Sequence, residues 1–226
     1  MTRIALLHTG AVVIAPVSEQ VRSAVPDATI VNYLDDRIVA DLGDPARAAS
    51  VPGRVVDLVR AAQRGGADVV MLTCSSISHL AASAASEVGL PVLRIDEAMA
   101  DEAVRHPRVA VVATLRTTLE PTVALVHERA ALAGRDVQVA ESVVDGAFAA
   151  VVAGDRDTHD ALVAAEVERV ARDADVVVLA QASMASAAER ARVDVSVLSS
   201  IRPGVARLAE HVAGSHRADG PEGSGR

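Results

Sequence analysis

The sequence contains one cysteine, Cys74, set between Thr73 and the pair Ser75 and Ser76. It follows the apolar run Val69–Leu72 and precedes a helical stretch carrying His79, Leu80, Ala81 and Ala84. A thiol at a helix N-terminus meets the positive end of the helix dipole and unpaired backbone N–H groups, which lower its pKa and favour the thiolate. The flanking hydroxyl and N–H groups suit a carboxylate or a developing oxyanion. Cys74 is therefore a candidate acid/base or nucleophile. The competing reading is a small apolar residue buried beside a strand.

A repeat sharpens the choice. The ten residues from Ala67 to Ser76 return 107 positions later, from Ala174 to Ser183, with six identities, and Gln181 stands where Cys74 stands in the first copy. The opening run Arg3–Thr9 likewise matches Arg108–Thr114. Two matches at nearly one offset indicate duplication. The chain reads as two related halves that keep one reactive thiol between them, with a neutral amide in the second copy.

Other strand ends carry polar groups in matching places. His8, Thr9 and Gly10 close the first strand, and Gly10 would let backbone approach a ligand. His8 is a candidate proton carrier or a structural hydrogen-bonder. The segment Thr114–Thr118 follows the strand Val109–Val112, and its hydroxyl and N–H groups suit an anion; Thr117 or Thr118 can instead cap the next helix, with Glu120 in support. His79, five residues beyond Cys74, points away from the thiol on a regular helix. Asp35–Asp36 and Asp96–Glu97 are expected to begin helices, where acids are favourable for dipole reasons. No metal-ligand spacing occurs, and Gly65–Gly66 precedes a strand rather than following one, so neither a metal site nor a phosphate loop is expected.

Positioning these groups requires the right frame. Strand-like runs fall at Ile4–Leu7, Ala28–Val31, Val69–Leu72, Val92–Ile95, Val109–Val112, Val137–Ala140, Val176–Leu179 and Val195–Leu198. Helical patterns lie between most of them. Val51 to Arg64 places Val51, Val55, Leu58, Val59 and Ala62 on one face, and Thr158 to Arg172 does so with Leu162, Ala165, Val167 and Val170. Alternating strands and helices imply an α/β fold of two doubly wound parallel sheets whose strand ends face each other across a cleft. The expected N-terminal half is 1–98, with 199–214 as the segment that would complete it. The C-terminal half is 99–198, and 215–226, rich in Gly and Ser, is expected to be a disordered tail.

With 226 residues, a net charge of −8 and only Tyr33 and Phe148 as aromatics, the chain lacks both the positive charge and the stacking surfaces of a nucleic-acid binder. No apolar run approaches the roughly 20 residues that span a bilayer. A single cysteine and the lack of a charged-then-apolar leader point to the cytoplasm. Assembly into a homo-oligomer is left open.

On the opening strand with His8 and Thr9, the Thr73–Ser76 motif, the Thr114–Thr118 loop and the Leu179–Met184 motif, the chain resembles the aspartate/glutamate/hydantoin racemase superfamily over nearly its whole length, to about Gly204. The resemblance implies two α/β domains related by pseudo-twofold symmetry, a cofactor-independent active site between them, and a cysteine from each domain flanking the substrate carbon. Cys74 matches the first cysteine. Thr9, Ser75, Thr114, Thr117, Thr118, Ala182 and Ser183 match positions that hold the substrate carboxylate or its neighbours, and His8 and Ser76 adjoin them. Gln181 falls where the second cysteine is expected, and an amide neither gives nor takes a proton near neutral pH. The expected activity is racemisation or epimerisation at the carbon alpha to a carboxylate of a small acid. The alternatives are a single-cysteine decarboxylase or nucleophilic isomerase of the same superfamily, and a non-catalytic carboxylate-binding protein.

Overall fold

The computed structural model describes residues 1–218. The first half holds strands β1 (Arg3–His8), β2 (Thr29–Leu34), β3 (Val69–Leu72) and β4 (Val92–Arg94), all parallel, in the order β2-β1-β3-β4. The second half holds β5 (Arg108–Ala113), β6 (Gln138–Val143), β7 (Val176–Leu179) and β8 (Ser196–Ser199), all parallel, in the equivalent order β6-β5-β7-β8. The expected α/β class with two parallel sheets is what the chain adopts.

Central strands and edge strands differ as their residues do. Every residue of β3 and β7 is buried, since helices cover both faces of a parallel sheet, and both strands have the expected bounds. The edge strands depart from expectation. β2 starts at Thr29 and runs to Leu34, and β6 runs from Gln138 to Val143, because each pairs along the full length of its six-residue neighbour. Backbone ladder bonds carry Asn32, Glu141 and Ser142 into these strands, and no apolar run marks them.

Between the strands of the first half lie α1 (Ile14–Ala24), α2 (Ile38–Leu42), α3 (Pro45–Ala48), α4 (Val51–Arg64), α5 (Ser75–Ser78) and α6 (Ala81–Val88). α7 (Glu97–Ala103) leads into the second half, which adds α8 (Arg116–Leu132), α9 (Ala147–Val152), α10 (Arg156–Val170), α11 (Ala185–Ala188) and the final α12 (Ile201–Ala218). α4 has the expected bounds and buries Val51, Val55, Val59 and Ala62, with Val56 inward and Leu58 half-buried. In α10 the expected face is corrected. Asp155 caps the helix by accepting from the Thr158 N–H at 3.0 Å, and the buried stripe is His159, Asp160, Val163, Ala164, Val167 and Val170. Leu162 and Ala165 are exposed because two polar residues, invisible to an apolar pattern, begin the inward face.

Two helices change sides. Met99, Ala100 and Ala103 of α7 pack with Val109, Val111, Val176 and Val178 of the second sheet. Ile201, Val205, Leu208 and Val212 of α12 pack with Ile4, Leu6, Val69 and Met71 of the first. Each half thus lends its last helix to the other, and the crossover occurs beside residue 97. α12 continues through Ala218, so residues 215–218 of the expected tail are helical; 219–226 lie outside the described residues. Among the described residues no helix is long and apolar enough to cross a membrane.

α12 lies close against the first half at Gly204, where an added Cβ would clash with the Ile95 carbonyl oxygen. Backbone cannot yield as a side-chain tip does. Gly204→Ala is expected to destabilise the fold by about 1–3 kcal/mol. Gly214→Ala, in the same helix with nothing within 4 Å, is expected to stabilise it by about 0.5–1 kcal/mol. Urea unfolding midpoints of the two variants check both signs.

Candidate active site

Parallel strands end on one side of their sheet, and here the ends of β1, β3, β5 and β7 open into helical turns around one cavity of about 570 Å³. Gly10, Cys74, Leu115 and Gln181 are the respective N-cap residues, of the turn Ala11–Val13, α5, α8 and the turn Ala182–Met184. All four are extended, and none caps its helix with a side chain. Cys74 (φ −126°, ψ 121°) and Gln181 (φ −125°, ψ 137°) are near copies in conformation. In both, the first turn's backbone bond is donated three residues further on, by Ile77 and Met184. The N–H groups of Ser75, Ala182 and Ser183 are left without a helical acceptor. The capping reading of Thr117 and Thr118 does not hold, since Leu115 is the N-cap of α8.

Cys74 is half-buried and borders the cavity. Burial pushes its thiol pKa up; hydrogen bonds from the Thr9 side chain and from the Ser76 backbone and hydroxyl pull it back, and the nearby Asp96 carboxylate pushes it up further. The expected depressed pKa is thus corrected. α5 has only four residues, too short for a strong dipole, and desolvation outweighs the donors around the sulfur.

Asp96 has a structural part that its place at a helix start does not announce. Its side chain is fully buried under α5 and accepts from the Ser78 hydroxyl at 2.7 Å, while the Arg94 Nε lies 3.5 Å from its other oxygen. Burial raises the Asp96 pKa, against the pull of Arg94 and Ser78. Arg94 also donates to the Ser78 hydroxyl at 3.2 Å. This buried ion pair and serine hold the turn that presents Cys74.

Gln181 is oriented by its neighbour. Its Oε1 accepts from the Thr114 N–H at 2.6 Å and from the Thr114 hydroxyl at 2.9 Å. A backbone N–H can only donate, so the oxygen must face Thr114, and the NH₂ group is the end available to a ligand. Thr114 itself is buried behind Gln181 and does not border the cavity.

Of the other expected residues, Thr9, Ser75, Ser76, Thr117, Thr118, Ala182 and Ser183 all border the cavity. The Ser76 and Thr118 hydroxyls meet at 3.2 Å and join the two halves there. His8 does not border it. The ring is buried, with Nδ1 hydrogen-bonded to the Thr73 hydroxyl and Nε2 to the Asn32 side chain, both at 2.8 Å, and burial lowers its pKa. It braces the residue before Cys74 rather than reaching a ligand. His79 is exposed and also away from the cavity. The remaining wall was not foreseen residue by residue: Asp36, Val39, Ala40 and Gly43 enter from the segment after β2, and Phe148, Val151 and Val152 from α9. Cys74 and Asp36 are the titratable side chains on this wall. No group of three metal-ligating side chains occurs among the described residues.

The family model for Asp/Glu/hydantoin racemase matches residues 7–208. No curated protein sequence matches the chain. Among solved structures, glutamate racemase from Francisella tularensis in complex with D-glutamate superposes with a TM-score of 0.77 at 12% identity, covering 98% of this chain and 84% of that one. Allantoin racemase from Klebsiella pneumoniae gives 0.64 at 18%, covering 96% and 89%. A glycine-to-cysteine mutant of arylmalonate decarboxylase, in its sulfate-associated form, gives 0.59 at 22%, covering 99% and 98%. With two four-stranded parallel sheets of one topology and a family match across both, the chain belongs to the Asp/Glu/hydantoin racemase family.

Proposed function

We propose that the protein is a cofactor-independent enzyme of racemase or epimerase type, acting at the carbon alpha to a carboxylate of a small acid, with Cys74 as its acid/base. The observation that carries this reading is the pairing of Cys74 and Gln181 at equivalent N-caps of duplicated strand ends on one cavity. In this scheme the free N–H groups of Ser75, Ala182 and Ser183 and the hydroxyls of Thr9, Thr117 and Thr118 hold the carboxylate. The Cys74 thiolate takes the α-proton, and the C–H electron pair moves into the carboxylate to give an enediolate. The Gln181 NH₂ and the N–H groups bear the added charge. A proton returned by Cys74 restores the original configuration; one delivered by water from the other face inverts it, and the hydroxide left behind takes the thiol proton to regenerate the thiolate. The chain has no lysine, since all 22 of its Lys and Arg residues are arginine. The Schiff base of pyridoxal-dependent racemisation is therefore unavailable to it.

One observation favours a second reading. The raised thiol pKa keeps Cys74 protonated at neutral pH, and the Gln181 amide has no proton to transfer. That combination suits a one-sided step in which a C–CO₂ bond breaks, its electrons form the enediolate, and the thiol protonates the carbon. The sulfur then recovers its proton from water.

Solvent-deuterium exchange at the α-carbon, followed by mass spectrometry over amino, hydroxy and malonic acids, tests the proposal; no exchange or decarboxylation in any of them would remove it in favour of a binding protein. Cys74→Ala should lower turnover roughly 10²- to 10⁴-fold.

The pH dependence separates the two chemistries. Proton abstraction needs the thiolate, so its rate should climb with pH until the thiol ionises, above the free-thiol value of about 8.5. Protonation by the neutral thiol should be level below that point and fall above it. Iodoacetamide labelling of Cys74 against pH locates the same midpoint independently.

Gln181→Cys places a second thiol on the other half. Inversion of configuration should rise by a factor within roughly 10²–10⁴, measured by chiral chromatography, at some loss of affinity. If the variant loses all activity while the wild type turns over efficiently, the one-sided reaction is the better reading.

A further inference from the structure

Beyond the polar groups, the cavity wall is apolar to a degree that holding a carboxylate does not require. Val39 and Ala40 enter from α2, Phe148, Val151 and Val152 from α9, and Val12 from the turn after β1. Val12, Phe148 and Val152 are 59%, 37% and 70% exposed, and they are three of the seven large hydrophobic side chains left exposed among the described residues. Single exposed apolar residues need no explanation, but a cluster at the mouth of one cavity marks a surface to be covered.

Charge points the same way. Among the described residues no arginine borders the cavity. Two of the arginines near the α2 wall are engaged elsewhere: Arg54 pairs with Asp35 and Asp41, both at 2.5 Å, and Arg47 with Asp41 and Asp44, both at 3.4 Å. The one charged side chain on the wall is Asp36, an acid. A second carboxylate on the substrate would lose hydration against this wall and meet a like charge at Asp36.

We infer that the substrate is a carboxylic acid bearing a bulky apolar substituent, branched-aliphatic or aryl, and that Val39, Phe148, Val151 and Val152 form the pocket that selects it. This rests on the reading of the strand-end groups as the carboxylate grip. The volume of about 570 Å³ falls within the range of pockets that enclose ligands larger than a small amino acid. The two walls come from different halves, so the substituent lies across the cleft and each half contributes to its selection.

The test measures binding alone. Calorimetric titration of the intact protein compares 4-methylpentanoate with succinate, which share one heavy-atom skeleton and differ by two methyl groups in place of two carboxylate oxygens; 3-phenylpropanoate probes the aryl case. Both apolar acids should bind at least about tenfold more tightly than succinate, the factor that two buried methyl groups imply. Phe148→Asp should narrow the ratio about tenfold, and Val152→Arg, at a largely exposed position that tolerates a long side chain, should shift it toward succinate. Thermal unfolding verifies that both variants fold. The inference is overturned if succinate binds as tightly as the apolar acids, if neither apolar acid binds at millimolar concentration, or if Phe148→Asp leaves the ratio unchanged. Failure of the catalytic reading looks different: apolar acids would bind with the expected preference while no α-substituted acid exchanges deuterium. Exchange into glutamate with succinate preferred would sink the pocket and keep the chemistry.

Discussion

Helices α7 and α12 each leave the half that precedes them and bury their apolar faces on the other sheet. A parallel sheet must be covered on both faces, so neither half has a complete core without the helix it receives. That exchange holds the two sets of strand ends face to face, and the cavity exists only where they meet. Arg129 of α8 and Arg207 of α12 both pair with Glu97 and Asp101 of α7, at 2.5–3.3 Å. These pairs are partly exposed and each contributes little to stability, but they orient the three helices at the crossover. The burial of Met99, Leu208 and their neighbours does the larger part of the joining.

Within this frame the duplication remains visible at the level of single bonds. Asp68 accepts from the Arg3 N–H at 2.7 Å, and Asp175 accepts from the Arg108 N–H at 3.0 Å. The same acid fixes the start of the same strand pair in each half. At the other end of those strands the copies part: Cys74 stays in its turn, braced by His8, Thr73 and the buried Asp96, whereas Gln181 is turned by Thr114 so that its amide donates. One wall carries a proton and the other carries only a dipole. Any chemistry at the cleft is therefore asymmetric by construction, and the high pKa that burial gives Cys74 deepens the asymmetry.

Much of this is legible in the sequence, and where it is not the reason is physical. β3 and β7 are readable to the residue because burial on both faces forces an unbroken apolar run. β2 and β6 are blurred because their ladder bonds, not their side chains, set their length. The place of several candidate residues is found from position alone, as Thr9, Ser75, Thr117, Thr118, Ala182 and Ser183 all border the cavity. His8 and Thr114 fail that test because each is committed to another side chain. The Cys74 pKa could not be read correctly: motif spacing gives the helix start but not the length of the helix or the depth of burial. Asp96 looks like an ordinary helix-starting acid until the fold closes over it.

The division between grip and wall follows the same logic. The strand-end turns present backbone N–H groups and short hydroxyls to the cavity, and backbone geometry survives duplication even where side chains change. The segments after the edge strands are also topological equivalents. Asp44 and Asp155 each cap the helix that follows, accepting from Ala46 N–H and Thr158 N–H at 3.0 Å. Yet the cavity residues just before those caps share no pattern: Asp36, Val39 and Ala40 on one side, Phe148, Val151 and Val152 on the other. These side chains are not needed to close either core, so they are free to differ. A site assembled in this way can keep its strand-end groups in place while the wall around them changes, so under the proposed function the wall is what distinguishes one acid from another.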